Sequence, residues 1–327
     1  MRLTIIIPMY KTEKYISDCL NSILNQDKGN IDYDIVAVND GSPDKTAEIA
    51  ERILSKSNIK YTIINQQNQG LSCARNAGLK IAHGDFIWFI DSDDTIAENS
   101  FRTLSKIEAD NIDAIAINGL EKIEEMLKPC VRYGKFAENA VDGHTFFQSS
   151  IWSVCSPMTL YNSNFLKANN LEFHPHIYHE DNEFTTRAYF FAERIYIADS
   201  PLYIIRETPN SITRTFNPKR SFDLMTVANL LEQFKKDNAT DKKDIKVFRK
   251  MISICLNSAL ENNLKYSESD RYKLSEALFA NRRLFKNMLN YPSLKYKIEA
   301  GLFLLFPKQI VTIYNILNKL LRRLLKQ

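Results

Sequence analysis

Five consecutive apolar residues, Phe86-Ile87-Trp88-Phe89-Ile90, run directly into Asp91-Ser92-Asp93-Asp94. A strand that is apolar at every position has no face for water, so it belongs inside a sheet covered by helices on both sides. The carboxylates that follow then stand at the C-terminal end of a buried strand, where α/β sheets bind ligands. An all-oxygen site of this kind suits a hard divalent cation, Mn²⁺ or Mg²⁺, which divides its ligands between one or two carboxylates and substrate phosphates. The competing reading is structural, with Asp93 or Asp94 capping a following helix.

The neighbouring sequence fits an interior strand. Short apolar runs at Leu3–Ile7, Tyr33–Val38, Tyr61–Ile64 and Ala114–Ile117 alternate with amphipathic stretches, which is a βαβ pattern. Right-handed crossovers turn that pattern into a mostly parallel, Rossmann-like sheet flanked by helices, so the expected fold class is α/β. Asn68-Gln69-Gly70 opens a helix expected over Leu71–Ala82, and Gly84 is expected to cap its C-terminus. From about Leu120 to Phe216 the chain is less regular, with aromatics, histidines and prolines typical of loops that carry binding groups. After Pro218 it reads as helix to Gln327, with breaks expected at Lys235–Asn238, Pro292 and Pro307. Three segments result: 1–118, 119–216 and a helical C-terminal extension, 217–327.

A net charge of +4 over 327 residues gives no reason to expect a nucleic-acid partner, which needs a clustered basic surface. The five cysteines are odd in number and contain no C-x-x-C pair, which argues against a disulfide framework or zinc knuckle and for a reducing compartment. Leu3–Ile7 is too short for a signal-peptide core, and Ala300–Phe306 is far below the ~20 apolar residues needed to span a bilayer. A cytoplasmic location is expected, at the inner membrane face if any surface is engaged.

Four further clusters carry candidate chemistry. After the first strand, Pro8 and Tyr10 offer an aromatic platform for a nucleobase, or a tyrosine packing at a strand end. Asn39-Asp40-Gly41-Ser42 puts Asp40 at the same sheet edge as Asp91, or is an ordinary Asn-Asp-Gly turn. Arg75 lies in a helix start rich in small residues, where a guanidinium fork and the helix dipole would both favour a phosphate; a surface arginine is the alternative. His179-Glu180-Asp181 sets two carboxylates at a helix start, which suits a general base, although acids also favour that position structurally.

Taken in order, Ile5-Ile6-Ile7-Pro8, Asn39-Asp40-Gly41-Ser42, Leu71-Ser-Cys-Ala-Arg-Asn-Ala-Gly78, Asp91-Ser-Asp-Asp94 and Glu180-Asp181 resemble the motifs of the family 2 glycosyltransferases of bacterial polysaccharide type. The resemblance covers about residues 1–215. It implies the GT-A fold, with nucleotide-sugar binding in 1–118 and the acceptor side in 119–216. It also implies inverting transfer of a hexosyl or N-acetylhexosaminyl unit from a nucleotide-diphosphate sugar, a UDP-sugar foremost, to a saccharide or lipid-linked saccharide acceptor. By resemblance, Asp40 contacts the base near Pro8 and Tyr10, and Arg75 lies by the donor. Asp91 reaches ribose or metal, Asp93 binds the metal, and Asp181 is the catalytic base with Glu180 beside it. Arg206 and Ser211, in Tyr203-Ile-Ile-Arg-Glu-Thr-Pro-Asn-Ser211, match a segment that lies near the donor phosphates in many bacterial members. The rival readings are a sugar-nucleotide nucleotidyltransferase and a non-catalytic membrane-associated assembly subunit.

The last segment has its own pattern. Ile310, Ile313, Tyr314, Leu317, Leu320, Leu321, Leu324 and Leu325 recur at helical spacing beside Lys319, Arg322, Arg323 and Lys326. Such a helix can lie on an anionic membrane surface, or pack on the protein with its basic residues solvated.

Overall fold

A computed structural model describes residues 1–131, 133, 139–208, 217–263 and 266–324, with the side chains of 131, 139 and 320–324 outside that description. The chain divides into two compact units: Met1–His176 with Phe184–Arg214, and Ile177–Glu183 with Thr215–Gln327.

The first unit is built on one sheet. Its strands are β1 (Arg2–Met9), β2 (Asp32–Asp40), β3 (Lys60–Gln66), β4 (Phe86–Phe89), β5 (Thr95–Ile96), β6 (Ala114–Ile123), β7 (Met126–Val131), β8 (Asn139–Asp142), β9 (Thr159–Asn162) and β10 (Arg194–Arg206). Their order is β3-β2-β1-β4-β9-β6-β10-β5, with β7 on β6 and β8 on β10. Strands β3 to β4 are mutually parallel, as are β6 and β10. The parallel expectation holds for those strands, whereas β9 runs antiparallel to both β4 and β6 and makes the sheet mixed. The five expected strands all exist. The irregular middle segment conceals β7, β8, β9 and β10. Strands β8 and β9 have only four residues, and the β10 register shifts on both sides of Pro201, so neither alternation nor length exposes them in the sequence.

Packing follows the residue pattern. The helix Ile16–Leu24 buries Ile16, Cys19, Leu20 and Ile23, one face at helical spacing, into the core that holds Ile5, Ile7, Trp88 and Ile90. The Trp88 indole N–H is satisfied by the Pro157 carbonyl at 2.8 Å. The helix Leu71–Ile81 buries Ser72, Ala74 and Gly78, so the small residues at its start serve close packing against β1. The helix ends at Ile81 with an extended Ala82, and Gly84 is not the left-handed cap expected of it. Gly84 lies under β1, where a Cβ would meet the Thr4 amide nitrogen at 2.4 Å, and its carbonyl accepts from the Ser163 hydroxyl. Close approach of two backbones, not a turn, requires glycine there.

The second unit is helical, with Lys219–Asn238, Lys242–Asn262, Glu268–Ala280, Leu294–Leu305 and Ile310–Leu324 as its longer elements. The Asp241 carboxylate caps the second of these, accepting from the Lys243 amide at 2.6 Å. The break expected at Lys235–Asn238 falls later, at Ala239, because Lys235 is a buried partner rather than an end signal. Its ammonium donates to Glu232 at 2.6 Å and Asn287 at 2.9 Å, and Asn287 donates to the same Glu232 carboxylate. Pro292 and Pro307 do lie between helices. No single helix among the described residues is long and apolar enough to cross a membrane.

Candidate functional site

Parallel strands bring their C-terminal ends to one edge, so Tyr10, Asp40 and Asp91 emerge together from β1, β2 and β4. The chain leaves β1 outward to β2 and β3, then returns to β4 on the other side, which makes the β1/β4 boundary a topological switch point. Pairing of β1 with β4 ends at Ile6, whose carbonyl accepts from the Ile90 amide at 3.0 Å. Pro8 directs its amide position to that same side two residues on, past the last β1–β4 pair, so its missing N–H costs the ladder nothing.

Three loops at this edge are bound to one another. The Lys11 amide donates to Ser42 Oγ at 2.8 Å, and the Thr12 amide to Thr46 Oγ1 at 2.9 Å. Ser42 and Thr46 hydroxyls both donate to Asp44 at 2.6 Å. Partial burial raises the Asp44 carboxyl, but these hydrogen bonds outweigh it and hold the group below its ordinary range. Thr12 Oγ1 donates to Ser92 Oγ at 3.0 Å, which ties the first loop to the acidic one. Tyr10 is exposed, with the Lys11 ammonium over its ring at 5.1 Å from the centroid.

Asp40 is buried and its carboxylate closes the loop after β3. It accepts from Gln66 Nε2 at 2.7 Å and from the Gln69 and Gly70 amides at 2.9 and 2.8 Å. Gly41 makes the turn at a φ of 66°, where a Cβ would stand 2.8 Å from the Asn68 amide. The turn reading is therefore correct for the backbone, and the Asp40 carboxylate is largely committed to shaping the edge.

Arg75 is not a surface arginine. It is only 1% exposed, and its guanidinium donates to Asp91 Oδ1 at 2.8 Å while lying 5.1 Å from the Phe173 ring centroid. It orients the carboxylate that begins the acidic loop. The Asp91 amide donates to Tyr203 Oη at 3.1 Å, and Tyr203 Oη donates to Asp94 Oδ2 at 2.7 Å. Asp94 also accepts from the Arg206 amide at 2.7 Å, so it is buried as a structural link to β10 and caps no helix. Burial, and then the charges of Asp91 and Asp93, push its carboxyl well above the ordinary range. Asp93 is pushed up to about 6, by burial first and by Asp91 second, with Arg206 and a Thr208 hydrogen bond opposing. Arg206 itself pairs with Asp18 at 2.9 Å and lies over the Tyr15 ring. Ser211 lies outside the described residues.

Tyr203 and Thr208 were not singled out in the sequence, although both flank Arg206. Both lie in the same segment as Arg206 and Ser211, Tyr203 on β10 and Thr208 just past its end.

Glu180 and Asp181 fall in the second unit, at the start of the helix Glu180–Phe191. Glu180 is buried and Asp181 partly exposed, the order expected if Asp181 is the one that meets a substrate. The preceding residues are tethered within this unit, where the Tyr178 amide donates to Asp223 at 2.8 Å. Burial, and next the Arg220 charge, push the His179 imidazole down to about 4, so it stays neutral beside Glu180 at ordinary pH.

The last helix uses part of its apolar stripe for packing. Ile310, Val311 and Tyr314 are buried, against the helices Glu268–Ala280 and Leu294–Leu305. The stripe beyond Lys319 lies outside the described side chains.

The sequence model described as Glycosyl transferase family 2 matches residues 4–167. The uncharacterized glycosyltransferase EpsJ of Bacillus subtilis is 34% identical over 227 residues, which cover 64% of this chain and 62% of the relative. The poly(ribitol-phosphate) beta-N-acetylglucosaminyltransferase TarS of Staphylococcus aureus is 30% identical over 69% of this chain and 39% of its own length. The chain thus spans less than two thirds of these curated relatives. The crystal structure of TarS residues 1–349 with UDP-GlcNAc superposes with a TM-score of 0.77 at 23% identity, covering 98% of this chain and 92% of that one. A mannosyltransferase from Pyrobaculum calidifontis, solved with GDP-Man and Mn²⁺, gives a TM-score of 0.54 at 14% identity, covering 96% and 86%. The fold is that of the GT-A glycosyltransferases.

Proposed function

Because the chain belongs to glycosyl transferase family 2, we propose that it transfers a sugar, with inversion, from a nucleoside-diphosphate sugar to a hydroxyl of a saccharide or lipid-linked saccharide. The observation that carries this reading is the edge at the β1/β4 switch point. There an exposed tyrosine, a turn shaped by Asp40 and a carboxylate oriented by a buried arginine share one hydrogen-bonded framework. TarS, whose name states N-acetylglucosaminyl transfer and whose crystal holds UDP-GlcNAc, supports a UDP-sugar as donor.

The residues divide the work. Tyr10 supplies a face for the base, and the Asp40 turn sets the floor of that subsite. Arg75 holds Asp91 in place. Asp181 takes the proton of the acceptor hydroxyl as that oxygen attacks the anomeric carbon from the side opposite the departing diphosphate. Arg206 lies near enough to Asp93 to lower its carboxyl and adds positive charge at the donor side.

The acidic loop fits a divalent cation. All its donors are oxygens, and burial with like charge raises Asp93 and Asp94, a condition that a cation would relieve. Asp93 and Asp91 are the residues that would hold Mn²⁺ or Mg²⁺. Such an ion, when bound, supplies positive charge to the diphosphate leaving group.

Titration calorimetry with UDP tests the reading. Binding is expected to tighten by at least about tenfold with Mn²⁺ relative to chelator, on the scale of charge-assisted contacts, and Asp93→Ala is expected to remove that difference. Equal affinity in chelator, or an Asp93→Ala variant that keeps the gain, would reject the cation site. Release of UDP from a UDP-sugar supports transfer, whereas pyrophosphate formed from UTP and a sugar phosphate would make the protein a nucleotidyltransferase.

A further inference from the structure

We propose that the helix Leu294–Leu305 with Phe306 is a membrane-inserting element, which dips its apolar face into one leaflet of an anionic bilayer. The membrane expectation drawn from sequence rested on the last helix, but Ile310, Val311 and Tyr314 are buried within the helical unit. The exposed apolar surface lies one element earlier. Leu294, Ile298 and Leu305 are 71%, 49% and 73% exposed, and Phe306 follows at 52%.

At 100° per residue, Leu294, Ile298, Gly301 and Leu305 fall within about 60° of one another on the helix. Gly301 has open space where a Cβ would stand, so among the described residues none covers the middle of the stripe. The opposite face packs, through buried Glu299, Ala300 and Phe303. Exposed Lys297 flanks the stripe on one side, where its long side chain can reach lipid headgroups while the stripe sits deeper; on the other side Lys295 turns back to Glu299 at 3.9 Å.

Charge selects the occupant. From Asn281 to Gln327 the sequence holds ten lysines and arginines and a single acid, Glu299, which is buried. A cleft between the helices Glu268–Ala280 and Ile310–Leu324 adds Arg271, Lys308 and Lys319 beside exposed Tyr272 and Ile316, with no carboxylate in its lining. A soluble partner that was merely apolar would gain nothing from this distribution, whereas an anionic lipid surface meets both features.

Geometry sets the depth. Twelve residues rise about 18 Å, short of the ~30 Å hydrocarbon core. The chain then bends by 117° into Pro307–Lys319. The pair therefore suits a shallow, in-plane insertion rather than a span.

The full chain is tested against vesicles of phosphatidylcholine with and without 30% phosphatidylglycerol, a fraction of about one lipid in three chosen to give a strongly negative surface. Sedimentation is expected with the anionic vesicles only. Replacing Leu294, Ile298 and Leu305 together by Glu is expected to weaken binding on the order of 100-fold, since three apolar side chains lose their burial, with helical circular dichroism and UDP affinity unchanged. Both native tryptophans are buried in the first unit, so a Phe306→Trp variant gives a separable signal. Its emission is expected to shift to the blue on anionic vesicles and to be quenched by brominated acyl chains. Wild-type binding by the triple variant, or a Phe306→Trp emission that stays fully aqueous on bound vesicles, overturns insertion. A wild-type dimer in light scattering that the triple variant dissolves, without vesicle binding by either protein, overturns it in favour of a second copy of this chain.

Discussion

The two units invert the usual assignment of side chains. In the sheet unit, charges go inside: Arg75 is as buried as the core aromatics, and Asp40 and Asp94 lie beneath the surface with their hydrogen bonds filled. In the helical unit, apolar residues stay outside along Leu294, Ile298 and Leu305. Each departure from the rule is costly in isolation, since a buried charge loses solvation and an exposed leucine orders water. At the sheet edge the buried charges frame the proposed donor subsite; the helical unit buries charges too, at Lys235 and Glu299, and there the exposed stripe is the feature that suits a lipid surface.

The comparison breaks first if the acids of the helical unit prove structural. Asp181→Asn is expected to lower the transfer rate by about 10²- to 10⁴-fold with UDP affinity retained, the range for loss of a general base. Steady-state UDP release together with calorimetry separates the two effects. Full activity in Asp181→Asn combined with loss in Glu180→Gln would move the role to Glu180.

Next in size is the buried pair. Arg75→Met leaves Asp91 without its partner in a partly desolvated place and is expected to cost about 2–3 kcal/mol in denaturant unfolding, somewhat below a fully buried pair because Asp91 keeps some solvent. Arg102→Ala, which removes an exposed ion pair to Asp27 in the same unit, is expected to cost under about 0.5 kcal/mol. Similar losses from the two would show that burial does not distinguish them.

The smallest effect lies in the helical unit. Burial pushes the Glu299 carboxyl up to about 7, with Lys295 opposing and Glu261 adding to the rise. The folded state therefore holds a proton that the unfolded chain releases above about 4.3. Its contribution is full below that pH and is lost as pH rises through 7. Glu299→Gln is expected to flatten this slope, so that its thermal midpoint exceeds the wild-type value at pH 8 and the two converge near pH 5. A parallel pH dependence in both proteins would show that Glu299 titrates normally.

Legibility in the sequence followed the same division. Strands β1, β2, β4 and the start of β6 could be read because their buried stretches are continuous apolar runs, and the edge strand β3, with no buried residue, through the short run Tyr61–Ile64. Strands β8 and β9 could not, because four residues carry no period and their place comes from partners far along the chain. The positions of Asp40, Asp91 and Asp93 were legible as strand ends, but not what they touch. That Arg75 would serve Asp91 rather than solvent depends on how closely the helix Leu71–Ile81 packs on β1. On the last helix, periodicity showed amphipathicity correctly and could not say whether protein or lipid takes the apolar face, since both demand the same spacing. The stripe at Leu294–Leu305 was obscured because the helix is apolar on more than one side.

The strand order also has a consequence in time. Strand β4 is held by β1 on one side and by β9 on the other, and β9 follows it by about 70 residues. At about 5–20 residues per second of synthesis, the Phe86–Phe89 backbone waits roughly 4 to 15 s with one edge open. An edge that is apolar on both faces, with no charge of its own, is the kind that pairs with other chains. Asp85 directly before the strand and Asp91 just past its end are its nearest charges during that interval, and charges that flank an apolar run in this way disfavour pairing with other chains.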